Sequence, residues 1–229
     1  MKRSYILLAL FGVLALAQCA VADTMVINYA SSTGSTVSFT DVSGGVDFAF
    51  PPNGAGASDF LISSIAGFPS DTLSGKFGDI TGTYHYNTAD IVTNGGVQTA
   101  TVSGAGTFII HDGAGFDFTA SLTWIDIQTL GAGGTINSTG TVNLSGFSYG
   151  GTNADLLLLA GAPGGIVVAT FQFIPGKSLT DLASGCSTSP CTTSFSGSLT
   201  TIPEPSFYAI LAFGIVGAII KARPRRTAA

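Results

Sequence analysis

From Phe116 to Trp124 the chain alternates without a break. Phe116, Phe118, Ala120, Leu122 and Trp124 fall on one side of an extended backbone, and Asp117, Thr119, Ser121 and Thr123 fall on the other. A two-residue period belongs to a β-strand with one buried face; a helix would scatter these side chains around its circumference. The same alternation marks Met25, Ile27 and Tyr29, then Val37 and Phe39, with Phe60-Leu61-Ile62 and Thr81 to Tyr86 as shorter candidates. Gly, Asn and Asp separate these runs, and no amphipathic helix of convincing length interrupts them. After Trp124 the pattern reverses, with Ile125 and Ile127 apolar around Asp126, and a second reversal at Gly146 separates Val142 and Leu144 from Phe147 and Tyr149. A β-bulge explains such a reversal, and so does passage of a strand between two sheets. Thr107 to His111 leads through Asp112-Gly113 into the long alternating run, which predicts an antiparallel hairpin. Leu156 to Leu159 and Ile166 to Ile174 read as central strands joined by a hairpin at Gly161 to Gly165, and Phe195 with Leu199 reads as a last edge strand. The expected fold is all-β, an antiparallel β-sandwich or jelly roll over residues 23–201.

Only 9% of the chain is charged, yet 45% is hydrophobic, a balance that opposes intrinsic disorder. The segment Asp23 to Pro205 holds all thirteen acidic residues and only Lys76 and Lys177 as bases, a net charge of −11. Such a surface repels phosphate backbones, which excludes nucleic acid as a partner. Cys19 lies in the leader, leaving Cys186 and Cys191 to form one disulfide in an exported chain, where it would pin a local turn.

The two ends read as targeting segments. Lys2 and Arg3 precede an apolar stretch from Tyr5 to Ala17, and Ala20 and Ala22 supply the small residues of a cleavage site before Asp23. Residues 1–22 are therefore expected to be a signal peptide that engages the Sec translocon and signal peptidase. At the other end Phe207 to Ile220 is an uncharged, apolar run followed by the cations Lys221, Arg223, Arg225 and Arg226, which reads as a short transmembrane helix with a basic stop-transfer cluster. Pro203, Glu204, Pro205 and Ser206 stand directly before it, and Glu204 is the sole glutamate of all 229 residues. Motif, apolar run and basic terminus together resemble the PEP-CTERM sorting signal of Gram-negative bacteria that make extracellular polysaccharide. That resemblance covers residues 202–229. It implies recognition of Pro203-Glu204-Pro205 by an exosortase, an inner-membrane-anchored precursor, and delivery to the outer surface or extracellular matrix.

No catalytic residues emerge between the ends. His85 and His111 sit on different predicted strands, neither in a His-Glu-x-x-His pattern, and no Gly-x-Ser-x-Gly elbow is present. Asp112, Asp117 and Asp126 lie on or beside one hairpin, the arrangement a glycan hydrolase would need if they converged. No metal site or cofactor is expected; Asp112 to Asp117 is the one segment with the carboxylates for calcium, without EF-hand spacing. The expected function is a non-enzymatic surface or matrix protein associated with exopolysaccharide or biofilm. The alternative is a carbohydrate-binding β-sandwich module, with Tyr84, Tyr86 and Trp124 as the aromatic platform; a glycan hydrolase is a third.

Overall fold

The computed structural model describes residues 24–51, 58–129 and 138–202. Within them the period-two runs become strands β1 Val26–Ser31, β2 Val37–Val42, β3 Gly45–Ala49, β4 Phe60–Ala66, β5 Phe77–Ile80, β6 Thr83–Asn87, β7 Val92–Asn94, β8 Val97–Thr101, β9 Ala105–His111, β10 Asp117–Thr129, β11 Ser138–Ser148, β12 Gly165–Gln172 and β13 Cys191–Thr201. Two seven-residue helices join them, α1 Ala154–Ala160 and α2 Leu179–Gly185.

The strands do not form two packed sheets. The hydrogen-bonded path runs β1, β4, β5, β9, β10, β11, β12, β13, and β13 returns to β1 with Val26 opposite Thr200 and Ala30 opposite Ser196. This closes an eight-stranded barrel, so the expected sandwich or jelly roll is corrected to a barrel with extra strands. The added strands hang on the long ones. The first residues of β13, Cys191 to Thr193, pair with β2, which continues through β3 to β6, and the last residues of β10, Asp126 to Thr129, pair with β8, which pairs with β7.

The pattern reversals carry the explanation. Register between β10 and β11 shifts between Thr119 and Ser121 and again between Trp124 and Asp126, and Gly146 opposite the first shift has φ +63°. Both reversals are thus bulges within one sheet, and a bulge increases local twist. β10 accordingly pairs with β9 up to Thr123 and with β8 from Asp126.

Two further expectations change. Leu156 to Leu159 is not a strand: the Asn153 side chain accepts hydrogen bonds from the amides of Asp155 and Leu156 and starts α1, which buries Leu156 and Leu159 and exposes Leu157 and Leu158. That is helical spacing, and the cap decides it. β13 is no edge strand, since it pairs with β12, β1 and β2.

The expectation of a transmembrane helix, and with it an inner-membrane-anchored precursor, is also corrected: among the described residues no helix is long and apolar enough to cross a membrane. Length is the physical reason, since even Phe207 to Ile220, wholly helical, would extend only about 21 Å against a hydrocarbon core of about 30 Å. That run itself lies outside the described residues.

Inward-facing aromatics fill the fold. Tyr29, Phe60 and Phe108 pack with ring centroids 4.8–5.8 Å apart. Phe48 lies 4.9 Å edge-on from Trp124 and stacks on Phe39, while Phe171 stacks on Trp124. Tyr84, Tyr86 and Trp124 are buried, so they cannot form an external aromatic platform.

Candidate functional site

Among the described strands, aspartates fall only on β2, β3, β5 and β10, and the two histidines on β6 and β9. His111 on β9 reaches Asp79 on β5 through Nε2 at 2.8 Å and Asp117 on β10 through Nδ1 at 2.7 Å. Buried Asp59 continues the chain: its amide donates to Asp79 Oδ1 at 3.0 Å, and its own Oδ2 accepts from the Ile80 amide at 2.9 Å. Burial, with the nearby Asp79 charge, pushes the Asp59 carboxyl up to about 6, against the pull of the Ile80 amide. Partial burial works against a proton on His111, yet the bonds to Asp117 and Asp79 outweigh it and hold the imidazole above its ordinary value. On the β3–β6 extension His85 repeats the theme, with Nδ1 2.7 Å from Asp47 and Nε2 3.1 Å from Asn87. Both imidazoles have both nitrogens occupied, which leaves neither free to act as a base or ligand.

The aspartates singled out in the sequence are not brought together. Asp112 closes its own turn, its Oδ1 accepting from the amides of Ala114 and Phe116 and its Oδ2 from the Tyr149 hydroxyl. Asp117 binds His111, and Asp126 accepts from the Thr141 amide. Among the described residues no group of three or more His, Cys, Asp or Glu side chains is placed to hold a metal ion. Cys186 and Cys191 form a disulfide, Cα atoms 5.3 Å apart, tying the end of α2 to the start of β13. Pro203, Glu204, Pro205 and Ser206, the Ala20, Ala22 and Asp23 cleavage site and the Lys221, Arg223, Arg225 and Arg226 cluster all lie outside the described residues.

The rest of the barrel is the reverse. β4, β1, β13, β12 and β11 are consecutive neighbours, and none contains a charged residue. Their outward positions carry Ser64, Asn28, Ser194, Ser196, Ser198, Thr200, Thr170, Gln172, Thr141 and Asn143, with Leu61, Ile166 and Val168 as exposed large apolar members. Near one end, where β13 leaves β1 and meets β2, the sheet forks and a surface cavity of about 410 Å³ opens. It is lined by Ala30, Ser31, Thr170, Gln172, Ser194, Phe195 and Ser196. The Phe195 amide, unpaired at the fork, donates to Ser31 Oγ at 3.5 Å. The side chains of Thr170, Gln172, Ser194 and Ser196 bond to no described residue and remain available to a ligand.

No family model, curated protein or solved structure matches the chain. The resemblance of the C-terminal residues to a sorting signal therefore stands on those residues alone. Sequence reading missed the fork cavity because its residues come from three strands far apart in the chain and none is chemically conspicuous. The one available signal was the absence of charge from Asp181 to Ile202 after its first residue.

Proposed function

We propose that this chain is a non-enzymatic exported protein of the cell surface or extracellular matrix whose barrel adheres to uncharged polysaccharide. The observation that carries the reading is the five-strand outer face built from hydroxyl and amide side chains without a single charge. Each such group both donates and accepts, as sugar hydroxyls do, whereas the described residues as a whole carry eleven aspartates against two lysines and repel polyanions. Single neutral hydrogen bonds exchanged with water contribute about 0.5–1.5 kcal/mol each, so a long repetitive polymer suits this face better than one isolated sugar. The disulfide fits an oxidising compartment. In this reading the N-terminal segment uses the Sec translocon and signal peptidase, and an exosortase reads Pro203-Glu204-Pro205.

The test is cosedimentation of the purified protein with a neutral insoluble glucan and with a polyuronate. Retention on the neutral polymer, lost when Ser198→Asp and Thr200→Asp place charge in the middle of the face, is the expected result. Equal retention of the doubly charged variant, or preference for the polyuronate, would sink the reading.

A further inference from the structure

Resting on that reading, we infer that the cavity at the β13 fork is a subsite that seats one or two neutral sugar units of the polymer, with Gln172, Ser194, Ser196 and Thr170 as its hydrogen-bonding groups. Three observations converge there. The volume of about 410 Å³ lies at the small end of the range for ligand pockets, a size suited to a mono- or disaccharide and too small for a longer unit. Four of its five polar side chains, all but Ser31, engage no described residue, whereas the polar residues of the His111 cluster satisfy one another. Its lining holds no acid, base or titratable group, and the Phe195 ring turns inward to pack on Phe50, which leaves the polar side chains of Thr170, Gln172, Ser194 and Ser196 to face a ligand.

The fork also explains why the cavity persists. β13 is held by β12 on one side throughout Gly165 to Gln172, so its backbone cannot close the gap left on the other side between Ser196, paired to Ala30, and Thr193, paired to Val37. The site is consequently preformed, and a ligand would not have to open it. Hydroxyls and an amide, each able to donate and accept, match a neutral ligand rich in hydroxyls. Affinity for a short oligosaccharide should be weak, on the order of 1 mM, and independent of pH.

The experiment is titration of the purified, disulfide-intact protein, with ¹⁵N-labelled side-chain amides, by neutral glucose, mannose and galactose trisaccharides and by a galacturonate trisaccharide. A saturable shift of the Gln172 amide with at least one neutral trisaccharide, unchanged between pH 5 and 8, is expected, and the galacturonate should give none. Gln172→Ala combined with Ser196→Val should weaken binding at least tenfold while the near-ultraviolet spectrum of the aromatic core stays native. Ser194→Ala alone should weaken it by a smaller factor and guards against misfolding of the double variant. Trisaccharide binding that survives both variants, or shifts confined to Asn28 and Asn143, would overturn the subsite and leave the polysaccharide face standing. If neither trisaccharides nor the insoluble glucan bind wild-type protein, both inferences fall.

Discussion

Asp155 is wholly buried, and its carboxylate accepts from Ser70 Oγ at 2.8 Å, the Thr72 amide at 3.0 Å and Thr72 Oγ1 at 2.6 Å. Burial opposes the charge, but these donors overcome it and lower the carboxyl's pKa. Asp155→Ala strands three donors and should cost about 2–4 kcal/mol in urea unfolding. Histidine and aspartate also set the pH dependence. His111 and His85 are raised, so the stability they confer is complete below the ordinary histidine value and is lost as pH climbs through their folded values. Asp59, raised to about 6, acts in the same direction, favouring the fold while it is protonated and withdrawing that support as pH rises from about 4 to about 6. Asp112, Asp155 and Asp181 are lowered and oppose unfolding only above the ordinary carboxyl value. Thermal stability should therefore be greatest in the acid range between about pH 4 and 6 and decline towards pH 8, with the part of that decline below about pH 6 shallower in Asp59→Asn; a Tm that rises steadily to pH 8 would contradict this. Outside the described residues, Glu204→Ala should leave the C-terminal segment attached in a host with the processing enzyme, read as a larger intact mass.

At the scale of elements, β10 shows how much the sequence reveals and where it stops. The alternation of Phe118, Ala120, Leu122 and Trp124 identified a buried face, and the reversal after Trp124 identified a bulge as one of two explanations. Alternation reports which face is buried, but not which edge partner a strand takes, so one barrel and two packed sheets look alike along a single strand. α1 was misread because four consecutive leucines look continuously apolar, while the deciding information lay in Asn153 and in its reach to two amides. Trp124 owes its position to a neighbour with no side chain: a Cβ at Gly140 on β11 would overlap the indole ring. Gly140→Ala should destabilise by about 2 kcal/mol and shift Trp124 emission, whereas a native spectrum and unchanged midpoint would show that the ring moves freely. The Cys186–Cys191 bridge closes a short loop, so its reduction should cost only about 2 kcal/mol and loosen α2 before the barrel.

Across the whole molecule, the charges borne by barrel strands lie on one arc, while hydroxyls occur on both arcs and stand without charge on the other. The composition displayed both ingredients, but the sorting emerges only from the pairing of strands that are distant in sequence, β4 with β1 and β1 with β13. The charge-free face, the fork and the acidic arc are therefore properties of topology more than of any motif. That topology also fixes an order of events in time. Val26 pairs with Thr200, and the Thr201 amide donates to the Met25 carbonyl at 2.9 Å, so one edge of the first strand, whose other edge is taken by β4, is secured only by the last. A chain emerging from the ribosome cannot complete the ring until Thr201 has been made, and loop closure over such a separation is slow. On the proposed reading of an exported chain, delay of this kind would keep the polypeptide threadable through a narrow channel and leave its final folding for the far side.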